Sequence, residues 1–172
     1  IEVDGDYHCE TFSSYSYLDF VRDTEISKAA IATARMYSAG NHAPRAFGGK
    51  TQIICDFEEE LAEFYGREAA VISSGGYISC MSAVRSVAHA GDLIVADQFA
   101  HASLRSGCKL SGAKTCFFKH NNFAHAEEVI KKNKRGARKI IIIAESVYSM
   151  DGSICDLPAA RKLCDKYGGY LI

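Results

Sequence analysis

In the second half of the chain, short apolar runs alternate with longer amphipathic stretches. The runs Ala69–Ile72, Leu93–Ala96, Thr115–Phe118, Ile140–Ala144 and the residues from Tyr170 onward predict strands. Between them, Tyr77–His89, Ser103–Leu110, Phe123–Lys134 and Leu157–Tyr167 predict helices, the last with Pro158 in its first turn. The run IIIIA is apolar at every position, as a parallel strand buried on both faces requires. Such alternation with short connections predicts an α/β domain, a mostly parallel sheet with helices on both faces. Ahead of it, Asp23 or Thr24 can cap a helix over Ile26–Arg35, and Ala39–Gln52 reads as a loop punctuated by Pro44 and three glycines. A further helix is expected from Asp56, with Phe57, Leu61 and Phe64 on one stripe and Glu58, Glu59 and Glu60 near its positive end.

Composition narrows the classes. With 172 residues, 48% hydrophobic, 24% charged and a net charge of −1, the chain has the balance of a globular domain. It has no basic surface that would select nucleic acid; the Lys131–Arg135 run reads as a cation-rich helix end closed by Gly136. No apolar run approaches the ~20 residues of a membrane span. Seven scattered cysteines without a C-x-x-C pair, and histidines without ligand spacing, argue against a disulfide framework or a metal site. The cysteines are expected to be small buried hydrophobes. The chain starts at Ile1 without a Met and stops inside an apolar run, so it is expected to be part of a longer polypeptide.

Candidate chemistry gathers where predicted strands end, since parallel sheets bind ligands outside the carboxyl ends of their strands. Gly75-Gly76 lies between a strand and a helix: its amides can hold a phosphate, or the glycines can serve a tight turn. His101 follows the strand end at Asp97 and can face the crevice to stack on a planar cofactor, or can cap its helix locally. Glu145, Ser146 and Ser149 follow the IIIIA run, and Asp151-Gly152 makes a turn.

The blocks HASLRSGCKLSGA, FKHNN and ESVYSMDGSICDLP, in this order, resemble the α-oxoamine synthases. These are pyridoxal 5'-phosphate (PLP) enzymes of the aspartate-aminotransferase fold that condense an amino acid with an acyl-CoA. The resemblance runs from about Tyr15 to Ile172. It implies that His101 stacks on the PLP ring as the catalytic residue of this segment. It further implies that Gly76 and Tyr77 flank the cofactor phosphate, that Ser149 lies near the phenolic oxygen and that Glu145 lines the pocket. By the same resemblance, residues 1–50 form an N-terminal segment and loop serving as an interface arm. Residues 51–172 form the first part of the PLP-binding large domain, with the cofactor aspartate and Schiff-base lysine beyond Ile172. The chain departs from the family pattern at Ser16, Asp19, Ile54 and Cys80. FKHNN and the ESVYSMDG block are most similar to the serine palmitoyltransferase branch, whereas APRAFGG resembles that branch's non-catalytic partner. The implied reaction joins L-serine to palmitoyl-CoA with decarboxylation, giving 3-ketosphinganine. Another α-oxoamine synthase or a scaffold subunit are the alternatives. A homo- or heterodimer is implied, in the cytoplasm or on the cytosolic face of the endoplasmic reticulum, with any membrane association through other segments.

Overall fold

A computed structural model describes residues 14–172 and, before them, only the backbone of two short antiparallel strands, β1 (Glu2–Val3) and β2 (Tyr7–His8). The expectations for Ile1 and Cys9 lie outside the described residues. The chain forms two compact units, Ile1–Ala70 and Val71–Ile172.

In the first unit, helix α1 (Thr24–Tyr37) starts where the Asp23 carboxylate accepts from the Glu25 and Ile26 amides, a side-chain N-cap. Helix α2 (Gln52–Phe64) begins four residues before the expected Asp56, with Thr51 as its cap residue. That shift corrects the reading of its glutamates. Glu58 sits in mid-helix and is buried, 2.7 Å from the Arg45 guanidinium and 3.3 Å from Lys50 Nζ. The helix thus grips the Pro44–Lys50 loop by a buried charge instead of completing a dipole. The expected stripe is likewise half-open, for Phe57 and Phe64 are exposed. In the loop, Gly49 has no room for a Cβ, which would fall 1.7 Å from the Ala43 carbonyl oxygen.

The second unit is the predicted α/β layer structure. Four parallel strands, β3 (Leu93–Asp97), β4 (Lys114–Phe118), β5 (Ile140–Ile143) and β6 (Tyr170–Leu171), lie in the order β4-β3-β5-β6. Helices α3 (Gly76–Val87), α4 (Ala102–Ser111), α5 (Phe123–Asn133) and α6 (Leu157–Lys166) alternate with them. Side chains of a strand point alternately to opposite faces, and the core divides accordingly. Ile94, Ala96, Ile141 and Ile143 pack with Val84 of α3, Ala88 just after that helix, and Leu104 and Cys108 of α4. Leu93, Val95 and Ile142 pack on the other side with Ala126 and Ile130 of α5 and Leu163 and Cys164 of α6. Both faces are covered, which explains why IIIIA carries no polar position.

Helices α3 and α4 meet closely at Gly107, where a Cβ would lie 2.7 Å from Val84 Cβ and 2.8 Å from the Met81 carbonyl oxygen. Across the other face, Glu127 accepts from Lys131, Lys166 and Tyr167, tying α5 to α6; these donors, Lys131 first, lower its carboxyl to about 2.

Two further expectations fail. Ala69–Ile72 is not a strand: two of its four residues are alanines, poor at filling a pleated surface. Among the six described cysteines, all free, only Cys108, Cys155 and Cys164 are buried, their thiols raised first by desolvation, and Cys80 is exposed. No helix of the described residues is long and apolar enough to cross a membrane.

Candidate functional site

Because the strands are parallel, β3, β4 and β5 deliver their following loops to one rim. The chain leaves β3 at Asp97 and turns into α4 at His101. This histidine is the N-cap of α4: its Nδ1 accepts from the Ser103 amide at 3.2 Å and lies 2.7 Å from the Ser103 hydroxyl. An accepting Nδ1 puts the ring proton of the neutral imidazole on Nε2. The His101 backbone amide donates to Glu145 Oε1 at 2.5 Å, so the first loop is fastened to the residue that follows β5. His101, Glu145 and Ser149 line one cleft of about 320 Å³, together with Phe99, Arg105 and Tyr148.

Tyr77 approaches the same histidine from α3. Its ring stands edge-on to His101 at 6.2 Å, and its hydroxyl is 2.7 Å from Ser106 Oγ on α4. Gly76 is the first residue of α3, a helix start whose leading amides have no intrahelical acceptor. Turn torsions do not account for the glycine pair. Gly75 is extended, with a φ of 174°, Gly76 is helical, neither lies in the left-handed region, and a Cβ on either would meet nothing within 4 Å. The open space at the helix start fits an anionic group brought close to the backbone, as a cofactor phosphate would be. Ser73 and Ser79, whose hydroxyls pair at this turn, add polar groups that the sequence reading did not single out.

A second constellation was not read from the sequence at all. Asp97, fully buried, accepts from the Phe99 amide at 2.8 Å and the Asn121 amide at 2.9 Å, and its Oδ1 is 2.9 Å from His120 Nδ1. A carboxylate only accepts, so Nδ1 carries a proton toward it. The opposite nitrogen, Nε2, is 2.7 Å from Ser153 Oγ, which is 2.7 Å from Asp151 Oδ1. The His120 ring is stacked on Phe99 at 4.5 Å and meets Tyr148 edge-on at 4.5 Å. Burial pushes the Tyr148 phenol well above its ordinary range; the Asp97 charge adds to this, against the Glu145 amide that donates to its oxygen. Its one trace in the sequence is FKHNN, a polar block directly after a strand, which does not name the partners of His120.

Residues 146–155 fold into a hairpin: the Tyr148 amide donates to Ser153 O, the Cys155 amide donates to Ser146 O, and Val147 bridges Ile154. Asp151-Gly152 makes its turn as expected, Gly152 at a φ of 72°. Ser153 donates its amide to Asp151, which, first among its causes, holds that carboxyl below its ordinary value.

A parallel sheet that carries polar groups from successive strand ends to one cleft, beside an open glycine helix start, is an arrangement shared with known proteins. The model of the family Aminotransferase class I and II matches residues 7–172. The chain belongs to that family. Among its relatives, Long chain base biosynthesis protein 2d of Oryza sativa subsp. japonica is 35% identical over 94% of this chain and 35% of its own length. A putative 8-amino-7-oxononanoate synthase of Trichodesmium erythraeum is 34% identical over 94% of this chain and 41% of its own length. The solved serine palmitoyltransferase of Sphingomonas wittichii superposes with a TM-score of 0.86, at 28% identity, over 92% of this chain and 39% of that one. The chain therefore spans well under half the length of these relatives. Such relatives fit the α-oxoamine synthase branch of the family that the sequence motifs resemble.

Proposed function

We propose that the full-length protein is a PLP-dependent α-oxoamine synthase that condenses L-serine with a long-chain acyl-CoA, palmitoyl-CoA, to give 3-ketosphinganine. The observation that carries this reading is His101: one ring nitrogen engaged by Ser103, its amide held by Glu145, and its ring lining the cleft and edge-on to Tyr77 of α3. PLP is the cofactor of this branch, and when bound it supplies the electron sink for bond breaking at the α-carbon of the amino acid. His101 stacks on its ring, positioned by the helix it caps. Gly76 and the leading amides of α3 hold the phosphate, with Tyr77 beside it, anchored on Ser106. Ser149 sits toward the phenolic oxygen. Glu145 fixes the His101 loop at the cleft edge and lines the pocket. The chain's first fifty residues serve as an interface arm in a homo- or heterodimer, and the protein works in the cytoplasm or on the cytosolic face of the endoplasmic reticulum.

The serine assignment draws on the long-chain-base relative and on the serine palmitoyltransferase likeness. A second reading, 8-amino-7-oxononanoate synthesis, is favoured by the comparably similar Trichodesmium relative. The test is the visible absorption of the full-length protein loaded with PLP as amino acids are titrated, followed by product analysis with palmitoyl-CoA. A band that responds to L-serine but not to glycine or alanine, with 3-ketosphinganine formed, is expected. A response to another amino acid with 8-amino-7-oxononanoate as product overturns the serine assignment. No cofactor band at all means a scaffold subunit.

A further inference from the structure

We propose that His120 is a positioning residue that locks the 146–155 hairpin to the end of β3 and thereby fixes the cleft wall formed by Glu145, Tyr148 and Ser149.

Three strand ends meet at this one ring. On the Nδ1 side is Asp97, the last residue of β3, fully buried and already anchored by two backbone amides. The ring itself belongs to the turn after β4. On the Nε2 side is Ser153, in the hairpin after β5, with Asp151 Oδ2 at 3.8 Å. Next to it, Asn121 takes a left-handed backbone conformation, φ 53°, and donates its side-chain amide to the Ile154 carbonyl at 3.2 Å, a second link to the same hairpin. The imidazole is packed as well: Phe99, from the loop that leads to His101, stacks on it, and Tyr148, from the hairpin, meets it in a T-shaped contact. An imidazole suits this place because it is flat enough to be packed and polar at two opposed points.

Apart from His120, the hairpin is held by the Asn121 link and by the buried side chains of Tyr148 and Cys155. Its own bonds are a two-residue bridge and a few turn contacts, and an isolated hairpin is marginal in water. Met150 at its tip is 93% exposed, so packing there contributes little. Yet the hairpin carries Tyr148 and Ser149 into the cleft, and Tyr148 Oη accepts from the Glu145 amide at 3.3 Å. Glu145 in turn holds the His101 amide. The route from His120 to His101 is thus continuous: Tyr148, Glu145, His101 amide.

The structural half of this proposal is independent of the assigned reaction; only its consequence for the cofactor rests on that reading. The test uses the full-length protein and hydrogen exchange without cofactor. His120→Phe keeps a ring between Phe99 and Tyr148 but removes both hydrogen bonds. Exchange of the Tyr148 and Cys155 amides is expected to rise by about tenfold or more, while the β3 and β5 amides keep their protection. Ser153→Ala, which cuts the Nε2 link and the Ser153 Oγ–Asp151 bond but leaves the Asp97 side of the ring intact, is expected to show the same local pattern at smaller size. In protein loaded with PLP, the visible band of the cofactor is expected to shift or weaken in His120→Phe. Unchanged hairpin exchange in both variants, or a loosening spread evenly over the sheet, overturns the proposal. If wild-type protein binds no PLP, the functional reading fails, yet the exchange pattern still decides the role of His120.

Discussion

His101 and His120 are imidazoles on the same sheet rim, but the protein uses them in opposite ways. His101 is exposed, engages Nδ1 alone and leaves Nε2–H and a ring face to the cleft. His120 has both nitrogens engaged and its ring packed by Phe99 and Tyr148, with 16% of its side chain exposed. Their Nδ1 atoms serve in reverse, accepting from the Ser103 amide in the first and donating to the Asp97 carboxylate in the second. The difference teaches how to separate a ligand-facing histidine from a bracing one. The test is the number of ring positions left unused, not proximity to the cleft, since both rings are near it.

The contrast is best broken at its anchors. Asp97→Ala leaves the His120 Nδ1–H and two backbone amides without their acceptor. It should destabilise the full-length protein by about 3 kcal/mol or more, read from urea unfolding. Gly107→Ala forces α3 and α4 apart beneath Tyr77 and Ser106. A cost of about 1–3 kcal/mol is expected in the same assay, with the loss of order falling on the His101 side and the hairpin amides spared. His101→Ala removes a helix cap and should cost about 1 kcal/mol, whereas His101→Asn keeps a capping acceptor and should cost only a few tenths. Both should still lower kcat by about a hundredfold if the ring positions the cofactor. That unequal stability loss with activity retained in both would make His101 a cap and nothing more.

The smallest effect is on pH dependence. The folded Asp151 carboxyl is held below its ordinary value of 3.8, the Ser153 amide being the first cause. Its ionised form therefore contributes fully at pH values above that ordinary value and is lost as pH falls through the depressed one. Asp151→Asn should differ from wild type in hairpin stability at neutral pH, and the difference should fade in acid below about pH 4. A difference independent of pH would remove Asp151 from the brace.

Much of the α/β unit was legible because its signals are local. Each strand from Leu93 onward and each helix from Gly76 onward lies within a few residues of its reading, since hydrophobic period, caps and turn residues agree there. The rim position of His101, Glu145 and Ser149 could also be read, because a parallel sheet sends the loop after each strand to one side. The His120 cluster could not. Its members, Asp97, His120 and Ser153, come from the end of one strand and two separate loops, and no spacing rule links residues that meet only through strand order. The Ala69–Ile72 strand was misread for a related reason: a short apolar run says nothing about whether a neighbour exists to pair with it. In α2, the burial of Glu58 depended on a loop reaching back with Arg45, again invisible to local pattern.

The strand order has a consequence for how the molecule is made. β3 takes β4 on one edge, β5 then joins the other, and β6 joins β5. Every strand docks on one synthesised before it, so a chain emerging from the ribosome can build the sheet outward without waiting for later segments. Ser153, however, comes after β5. The rim can lock only after the third strand is in place, and until then His120 is a half-made joint on a growing sheet.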